Sequence, residues 1–504
     1  MTADELRFGT AGLRGPVQPG IGGMNVELVA RAAWAVGEWL RGNGADRTIV
    51  VGRDARHGSP EFFATATGVL AAAGFDVVAL PGHSPTPLVA FACRDLRAAA
   101  AIQITASHNR AGDNGFKLYG GVGTDAPGAQ IVGPIDEQIE ALMTRAPGTI
   151  PRCAVPPDRR AQANRSRYLA RISTRFGAGE EAAPFRLALT PLHGVGGQLA
   201  LDALAVAGFH DVHVVPDQFA PDPDFPTVAF PNPEEPGATG ELLRLAAEVG
   251  ADLAIALDPD ADRCALAIPC DGGWRQLTGD EVGALLCHTL AVPGAVVASS
   301  IVSGTFAADI AQAAGARSVR TLTGFKWLVR TGDRLCYAYE EAIGHCVDPA
   351  AVLDKDGISA AVLAAQIAAR LRRDDSSANL LLDELSLTHG VHATVGTSVR
   401  LRAPAEADAV MAGLRSAARR TITGLDCSMH DYAGRDDALR TNAVEFAGAD
   451  GDVRIRALVR PSGTEPKLKA YVEAVTPISA TVDAGGARRD ATALAERVAH
   501  ALLA

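Results

Sequence analysis

The chain has 504 residues, too many for one hydrophobic core, and we therefore expect two to four domains. Its composition (48% hydrophobic, 21% charged) is typical of a water-soluble globular protein, and no apolar run approaches the roughly 18 residues that a membrane span requires. The net charge of −11 disfavours nucleic-acid binding, while eight scattered cysteines and an N-terminus without a signal-peptide pattern predict a cytoplasmic protein with reduced thiols.

A strand, a polar or glycine-rich turn, an alanine-rich helix and a further strand recur three times along the chain. The copies occupy residues 48–80, 185–215 and 295–322. Strands that alternate with helices predict α/β domains with largely parallel sheets. Because the spacing is far longer than a solenoid repeat, the pattern predicts three related domains rather than one repeat array.

The end of the chain has a different pattern. After about residue 388, short strand-like runs accompany helical segments near 405–420 and 488–503, which predicts a smaller α+β domain. Proline-rich, turn-rich and polar linkers separate the four regions. The predicted domains are residues 1–150, 151–272 and 273–387, all α/β, and residues 388–504, which are α+β.

The first candidate site follows a predicted buried strand, where AIQIT leads into ASHNRAGDNGFK. Ligands of α/β sheets gather at the carboxyl ends of the strands. Ser107 lies at such an end, with His108, Asn109 and Lys117 close behind. A serine in this position is most often a turn or helix cap, but its polar neighbours favour a functional role. No GxSxG motif surrounds it, so an α/β-hydrolase is disfavoured.

The second candidate site is the loop of DLAIALDPDADRCALAI, where an apolar strand leads into Asp258, Asp260 and Asp262. Alternate residues of an extended chain lie on one side, and three neighbouring carboxylates require a cation. Hard oxygen ligands favour Mg²⁺ or Ca²⁺, and the loop lacks the glycine and glutamate of an EF-hand. A solvated acidic turn is the alternative. Arg263 beside this loop is placed to hold an anion that bridges to the metal.

The third candidate site is RPSGTEPK, between two alternating strands near the C-terminus. Arg460, the hydroxyls of Ser462 and Thr464, and exposed backbone N–H groups suit a phosphate dianion. Lys467 and Lys469 add positive charge. A plain hairpin turn would explain the glycine and proline but not the arginine and hydroxyls.

The fourth candidate site combines TLTGFKWLVR with YEEAIGHCVDPAAVLDKDG. Glu340 and Glu341 follow a predicted strand and can accept hydrogen bonds from sugar hydroxyls, with Lys326 and His345 nearby in the sequence. Paired glutamates are more often a solvated face. At the N-terminus, RFGTAGLRG is a glycine-rich turn that presents Arg14.

Lysine is scarce in this chain, since five of the 47 basic residues are lysine and 42 are arginine. Arginine cannot deprotonate near neutral pH, whereas lysine can. The few lysines therefore indicate positions where arginine does not substitute. All five fall within the motifs above: Lys117, Lys326, Lys355, Lys467 and Lys469.

Together and in this order, these motifs resemble the α-D-phosphohexomutase superfamily, from FGTAGLRG near the start to RPSGTEPK near the end. The resemblance implies four domains around a central cleft. Three would be similar α/β domains with mixed sheets, and the C-terminal domain would be α+β. It implies a mutase that interconverts hexose 1-phosphate and hexose 6-phosphate, of mannose or glucose, through a phosphoserine enzyme and a bisphosphorylated sugar.

The resemblance also assigns roles to residues. It implies that Ser107 carries the phosphoryl group and binds one Mg²⁺ together with Asp258, Asp260 and Asp262. The other catalytic residues would be His108, Lys117 and Arg14. Substrate would be bound by Arg263, Lys326, Glu340, Glu341, His345, Arg460, Ser462, Gly463, Thr464 and Lys469. Hexose 1,6-bisphosphate would act as activator and intermediate.

Two departures from the common bacterial pattern leave the sugar open. The sugar loop has Ala342 where a serine is usual, and the metal loop has Pro259 where a glycine is usual. FGTAGLRG, TGFKW and EEAIG instead resemble the phosphoglucomutase-2/phosphopentomutase branch and actinobacterial phosphomannomutases. Glucose, mannose and pentose phosphates all remain candidates, while glucosamine phosphate is less favoured.

Three kinds of function compete at this stage. The favoured one is a phosphosugar mutase that acts on small sugar phosphates, as a monomer or a dimer, without nucleic acid or membrane. A metal-dependent sugar phosphatase would use the same serine but transfer the phosphoryl group to water. A non-catalytic sugar-phosphate-binding protein would be expected to lack Ser107 or the aspartates, and both are present.

Overall fold

The computed structural model describes residues 6–9, 12–177, 185–402, 404–416, 419–462, 467–478 and 484–503. These residues form four sheets, three of them mixed and one antiparallel. All eight cysteines lie in the described residues and are free thiols. None of the helices described is both long and apolar enough to cross a membrane.

The first domain is a five-stranded sheet with the order β1-β5-β4-β2-β3. Its elements are β1 (Leu13–Pro16), α1 (Val26–Gly42), β2 (Thr48–Arg53), α2 (Ser59–Ala72), β3 (Asp76–Ala79), α3 (Thr86–Asp95), β4 (Ala100–Ile104), β5 (Asp113–Gly120) and α4 (Ile135–Met143). Strands β2, β3 and β4 are parallel, and β5 runs antiparallel beside β4. The ASHN segment leaves the carboxyl end of β4.

The second domain repeats this arrangement with the order β10-β9-β8-β6-β7. Its elements are α5 (Arg159–Phe176), β6 (Leu187–Thr190), α6 (Gly197–Val206), β7 (Val212–Val214), α7 (Pro216–Phe219), α8 (Gly240–Val249), β8 (Leu253–Leu257), β9 (Cys264–Cys270) and β10 (Gly273–Gln276). Strand β8 is parallel to β6 and antiparallel to β9. The aspartate loop therefore follows β8 at the place where the ASHN segment follows β4.

The third domain is a four-stranded sheet with the order β12-β11-β13-β14. Its elements are α9 (Gly279–Leu290), β11 (Val296–Ser300), α10 (Phe306–Ala313), β12 (Arg317–Thr321), α11 (Phe325–Leu328), β13 (Leu335–Glu340), β14 (Gly344–Cys346), α12 (Gly357–Arg373) and α13 (Ala378–His389). Strand β13 is parallel to β11 and antiparallel to β14. The glutamate loop after β13 thus occupies the third equivalent position.

The fourth domain is a six-stranded antiparallel sheet with the order β15-β20-β19-β18-β17-β16. Its elements are β15 (Val391–Arg400), α14 (Pro404–Arg415), β16 (Arg419–Ile422), β17 (Leu425–Asp431), a 3₁₀ turn (Tyr432–Gly434), β18 (Val444–Asp450), β19 (Val453–Pro461), β20 (Lys467–Thr476) and α15 (Ala484–Leu503). The expected architecture, three similar α/β domains and a C-terminal α+β domain, is confirmed. The boundary predicted at 387/388 lies in the last turn of α13.

The hydrophobic cores follow a different division from the sheets. The largest buried cluster runs without interruption through the first three domains, from Val50 through Leu187 to Leu385. A separate cluster, from Met411 to Leu502, belongs to the fourth domain alone. The first three domains therefore share apolar packing in addition to a separate core in the first domain, whereas most of the fourth domain's core is its own. A small cluster, with Ile301 and Val302 against Tyr432 and Leu458, joins the fourth domain to the third.

Candidate active site

The carboxyl ends of β4 and β8 meet, and they bring the serine and aspartate motifs together. Ser107 is 1% exposed, and its Oγ donates a 2.7 Å hydrogen bond to Asp258 Oδ2. Its backbone N–H is held by Thr105 Oγ1 at 2.9 Å. Ser107 and Asp258 are 151 positions apart, so the contact between them depends on the packing of the first domain against the second.

The three aspartates form a compact, buried cluster. Their nearest carboxylate oxygens all lie within 4.8 Å of one another. Among the described residues, Asp260 Oδ1 and Asp262 Oδ1 are buried without a hydrogen-bond partner. Buried, unsatisfied carboxylate oxygens beside a serine hydroxyl are the hard donors that Mg²⁺ prefers. The residues present therefore fit the magnesium site that the sequence predicts.

Lys117 lies between two of these carboxylates, although it comes from the first domain. Its Nζ is 2.6 Å from Asp260 Oδ2 and 2.8 Å from Asp262 Oδ2, and its side chain is fully buried. On β5 it stands opposite Gln103 of β4, the strand that leads to Ser107. Thr86 also donates to Asp260 Oδ2 at 2.6 Å. The lysine is thus part of the same cluster as Ser107 and the aspartates.

The carboxylates of the cluster have different pKa values because their partners differ. Burial raises the pKa of Asp258 well above its usual value, and the charges of Asp260 and Asp262 raise it further. Burial also acts on Asp260, but the charge and hydrogen bond of Lys117 outweigh it and lower its pKa. Burial and Asp260 act against ionisation of Asp262, yet Lys117 and Lys355 leave its pKa lowered.

Arg14, His108 and Arg263 line the same cluster. Arg14 Nη1 donates to Asn109 Oδ1 at 3.5 Å, and burial lowers the pKa of its guanidinium. Burial, with Arg263 and Arg14 nearby, lowers the pKa of His108 well below its usual value. The Arg263 N–H donates to Asp258 Oδ1 at 3.0 Å, while its guanidinium lies 3.4 Å from Glu234. All three predicted residues are therefore brought to the aspartates.

The glutamate loop is divided between the cleft and the interior of the third domain. Glu340 Oε1 accepts a 2.8 Å hydrogen bond from the Gly324 N–H, which links the two halves of the predicted sugar site. Glu341 Oε2 accepts from the hydroxyls of Ser300 and Ser303 at 3.0 and 2.8 Å. Burial, with each glutamate's acidic neighbour, raises the pKa of both. Substrate binding by Glu341 stays a prediction, since its carboxylate already has partners inside the domain.

His345 and Lys326 lie in different surroundings from Glu340. His345 is fully buried, accepts or donates a 2.8 Å hydrogen bond with Tyr337, and stacks against the Tyr337 ring. Burial lowers its pKa to about 3. Lys326 Nζ points to the N-terminal segment, 3.5 Å from the Gly9 carbonyl and 3.9 Å from Asp136. Their predicted roles as sugar ligands are not tested by these contacts.

The predicted phosphate loop is described in part. Arg460, near the end of β19, has its guanidinium 5.7 Å from the Tyr471 ring centre and 3.3 Å from the Tyr471 hydroxyl. Lys469 pairs with Arg460 in the register of β19 and β20. Burial raises the pKa of Glu234, and the charge of Lys469 opposes part of that rise. The Ser462 N–H donates to the Lys467 carbonyl. Gly463 and Thr464 lie outside the described residues.

Two residues of the cluster, Thr86 and Lys355, were not assigned a role from the sequence. Lys355 Nζ lies 2.9 Å from Asp262 Oδ2 and 3.7 Å from Asp354 Oδ1. Its side chain passes Gly344, where an added Cβ would stand 2.3 Å from Lys355 Cδ. The signal that could have found it is the scarcity of lysine, because Lys355 is one of five.

Comparison with known proteins gives a consistent result. Four family models match in order: phosphoglucomutase/phosphomannomutase domain I at residues 5–146, domain II at 166–272, domain III at 278–386 and the C-terminal domain at 399–480. Together they cover most of the chain.

Curated relatives are similar over nearly their whole length. A Haemophilus influenzae protein named "Probable phosphomannomutase" is 37% identical over 90% of this chain and 93% of its own. Human phosphopentomutase is 33% identical over 94% and 85%. Staphylococcus epidermidis phosphoglucomutase is 31% identical over 93% and 90%.

Solved structures share the fold. A phosphoglucomutase/phosphomannomutase family protein from Burkholderia thailandensis superposes with a TM-score of 0.71 at 21% identity, covering 97% of both chains. Paramecium parafusin, a phosphoglucomutase, has the same TM-score at 17% identity, covering 99% of this chain and 97% of its own.

Proposed function

The chain belongs to the phosphoglucomutase/phosphomannomutase family of mutases, and on that premise we propose that it interconverts hexose 1-phosphate and hexose 6-phosphate of mannose or glucose. It is an intramolecular phosphotransferase, and phosphorylated Ser107 is the proposed donor. The observation that carries this proposal is the 2.7 Å contact between Ser107 Oγ and Asp258. It places a buried hydroxyl on the carboxylate cluster where a phosphoryl group would be transferred.

The proposed reaction moves two phosphoryl groups through one serine. The P–O bond to Ser107 Oγ breaks while the 6-hydroxyl oxygen of hexose 1-phosphate forms a new P–O bond and loses its proton. The resulting hexose 1,6-bisphosphate turns in the cleft and returns its 1-phosphoryl group to Ser107. Lys117, in contact with Asp260 and Asp262, is the proposed carrier of the hydroxyl proton.

The cofactor assignment follows from the donor set. Ser107, Asp258, Asp260 and Asp262 would hold one Mg²⁺, which supplies positive charge to the phosphoryl oxygens when it is bound. Arg14, His108 and Arg263 surround the same point and are the proposed residues that orient the phosphoryl group. Hexose 1,6-bisphosphate is the proposed activator because it phosphorylates Ser107.

The second phosphate requires a separate clamp. Arg460, Ser462 and Lys469, with Gly463 and Thr464 of the same loop, are proposed to hold whichever phosphate is not reacting. Arginine and backbone N–H groups make charge-assisted hydrogen bonds to phosphate oxygens. Glu340, held by the Gly324 N–H and facing the charge of Arg263, is the proposed contact for the sugar hydroxyls, with Lys326, Glu341 and His345 as further candidates.

A second candidate function is a phosphopentomutase. Human phosphopentomutase is 33% identical to this chain, and the loop YEEAIGH has Ala342 where a serine is usual in the bacterial hexose branch. A sugar phosphatase would use the same serine. We further expect the protein to act in the cytoplasm on small sugar phosphates, as a monomer or dimer, without nucleic acid or membrane.

The test is ³¹P NMR of the purified protein with Mg²⁺ and a catalytic amount of glucose 1,6-bisphosphate. Glucose 1-phosphate, mannose 1-phosphate and ribose 1-phosphate are supplied in separate samples. Fastest conversion of a hexose to its 6-phosphate, without free phosphate, supports the proposal. Fastest conversion of ribose 1-phosphate would replace it with a phosphopentomutase, and release of free phosphate would replace it with a phosphatase.

A further inference from the structure

The loop that carries Ser107 is hydrogen-bonded to the side chain of one arginine, Arg56. Arg56 follows β2, the neighbour of β4, and is 2% exposed. Its Nη1 donates to the carbonyls of Arg110 and Asp113 at 2.7 and 3.1 Å. Its Nη2 donates to the carbonyl of Ser107 itself at 2.7 Å, and to that of Asn109. Four backbone carbonyls of one loop therefore converge on one guanidinium.

This loop needs such support because its serine has an unfavourable backbone conformation. Ser107 has φ of +54°, in the left-handed region that non-glycine residues seldom occupy. A conformation of this kind costs about 1 kcal/mol or more, and it persists only where surrounding contacts fix it. The bond from Arg56 to the Ser107 carbonyl acts on the same residue. The direction of Ser107 Oγ thus depends on a side chain 51 positions away.

The arginine is itself fixed from both sides. Its Nε lies 3.5 Å from Asp54 Oδ2, and the other oxygen of Asp54 accepts from the Arg56 N–H and the Ser59 hydroxyl. On the opposite side, the guanidinium carbon lies 4.9 Å from the ring centre of Phe225, in the second domain. Cation–π contact of this kind favours a desolvated arginine. Arg56 therefore contacts the Ser107 loop of the first domain and the ring of Phe225 in the second domain.

We propose that Arg56 is a positioning residue for phosphoryl transfer, which fixes the Ser107 loop against the aspartate cluster in both the free and the phosphorylated state. This inference rests on the proposed function of Ser107. Phosphorylation adds between one and two negative charges to the Ser107 oxygen, beside three carboxylates, and an unsupported loop would move away from them. Arg56 has no hydrogen bond or ion pair with Asp258, Asp260 or Asp262 among its described contacts, and none with the predicted substrate ligands. We therefore expect it to act through the backbone of the Ser107 loop.

Lysine cannot replace this arrangement. A guanidinium offers five N–H donors in a planar fork, whereas an ammonium offers three on one atom. The variant Arg56→Lys keeps the charge and removes the fork. Its matched control is Arg94→Lys, because Arg94 is another first-domain arginine that donates to backbone carbonyls, those of Pro127 and Ala350, outside the Ser107 loop.

The experiment compares wild type, Arg56→Lys, Arg56→Ala and Arg94→Lys as full-length proteins. Mutase rates are measured with glucose 1-phosphate, glucose 1,6-bisphosphate and Mg²⁺, and thermal unfolding confirms that each variant is folded. We expect Arg56→Lys to lower kcat by about 100-fold, as a misplaced reacting group does, with KM within about threefold of wild type. Arg94→Lys should leave both values within about threefold. Guanidinium ion at millimolar concentration should restore part of the rate of Arg56→Ala and leave Arg56→Lys unchanged.

A second measurement does not depend on activity. Hydrogen–deuterium exchange of peptides that cover residues 105–113 should be at least about tenfold faster in Arg56→Lys than in Arg94→Lys, with the β6 and β8 peptides unchanged. A folded Arg56→Lys variant with wild-type kcat and wild-type exchange in this loop would overturn the inference. If the wild type shows no mutase activity at all, the proposed function fails, and the exchange result alone decides whether Arg56 fixes the loop.

Discussion

The junction of the first two domains and the attachment of the fourth domain differ in construction. At the junction, Ser107 bonds to Asp258, Lys117 to Asp260 and Asp262, and Thr86 to Asp260, all of them buried. The two domains also share one hydrophobic cluster. The groups proposed to carry out the chemistry are therefore fixed by many contacts that must be satisfied together.

The fourth domain is attached to the third by a small apolar cluster, in which Ile301 and Val302 pack with Tyr432 and Leu458, and by a set of polar contacts. Glu473 Oε1 accepts from the Thr305 N–H at 2.6 Å and pairs with His392 at 2.8 Å, while Arg456 donates to the carbonyls of Ile301 and Ser303. The proposed phosphate clamp lies on this domain. From this difference we expect phosphoryl transfer to depend on the buried cluster at the junction, and phosphate binding to depend on the position of the fourth domain.

The largest effect should come from the buried junction. Ser107→Ala removes the proposed phosphoryl carrier, and we expect mutase activity to fall by at least about 1,000-fold. The lost hydrogen bond to Asp258 should cost only about 1 kcal/mol of stability. ³¹P NMR measures the conversion and thermal unfolding measures the stability. Ser166→Ala, at an exposed helix position, is the control, and mutase activity of Ser107→Ala near that of this control would contradict the phosphoserine mechanism.

The next effect tests whether Lys117 acts through its charge or its proton. Lys117→Arg keeps a positive charge between Asp260 and Asp262 but cannot carry a proton near neutral pH. We expect kcat to fall by about 100-fold with a smaller change in KM. Steady-state kinetics in both directions provide the measurement. A rate near that of wild type would show that the junction needs only the charge.

A different signature is expected in the fourth domain. Arg460→Ala removes one proposed phosphate ligand, so we expect KM to rise by about 10- to 100-fold with kcat changed less. Arg435→Ala, which removes an ion pair with Asp437 inside the fourth domain, is the matched control and should leave KM unchanged. An unchanged KM in Arg460→Ala would move the clamp elsewhere. A kcat loss as large as that of Lys117→Arg would erase the distinction between the two regions.

The attachment of the fourth domain should weaken in acid. Burial raises the pKa of Glu473, but the hydrogen bond and charge of His392 outweigh it and leave the pKa lowered. Because the pKa of Glu473 is lower in the folded state than in the unfolded state, its ionised carboxylate stabilises the folded protein above the unfolded pKa. This stabilisation is lost as the pH falls below about 4.5. Glu473→Gln should cost about 1–3 kcal/mol at pH 7 and should flatten the acid limb of thermal stability. An acid limb as steep as that of wild type would assign the loss to other groups.

The smallest expected effect comes from Asp356, whose contribution to stability depends on pH in the opposite direction from that of Glu473. Burial raises the pKa of Asp356, which caps α12 and accepts from the Tyr168 hydroxyl, to about 6. The folded state therefore keeps this proton longer than the unfolded state, and stability is lost as the pH rises from about 4 to about 6. Asp356→Asn keeps the cap, so it should gain roughly 1 kcal/mol at pH 7 and nothing at pH 4. Thermal unfolding at both values checks this, and equal gains at the two would contradict it.

The motifs at the junction of the first two domains were found from the sequence, whereas their contacts with the third domain were found only in part. The edge rule placed Ser107 and Asp258 each at the carboxyl end of a strand. These strands belong to two different sheets, and the resemblance to the superfamily is what predicted that the two motifs share one site. Lys355 was not assigned, because it precedes α12 of the third domain and reaches Asp262 only through the close approach of Gly344. Local sequence carries no signal of that path.

The glutamate loop shows another limit of the sequence. Glu340 and Glu341 are adjacent, but neighbours in extended chain point to opposite sides, and nothing in YEEAIGH states which side faces the cleft. The structure gives Glu340 a backbone partner in the loop before α11 and gives Glu341 two serine partners inside the domain. Similarly, His345 lies beside these residues in sequence while its side chain stacks on Tyr337 in the core.

The division of the hydrophobic cores has a consequence for synthesis of the chain. The cluster that begins at Val50 is completed only when Leu385 has been made, so the first three domains cannot finish their shared core until three quarters of the chain has left the ribosome. Most of the apolar core of the fourth domain lies within residues 391–503 and can pack afterwards, against Ile301 and Val302 of a third domain that is already made. A nascent chain therefore leaves part of this shared apolar surface unpacked until the third domain has been made.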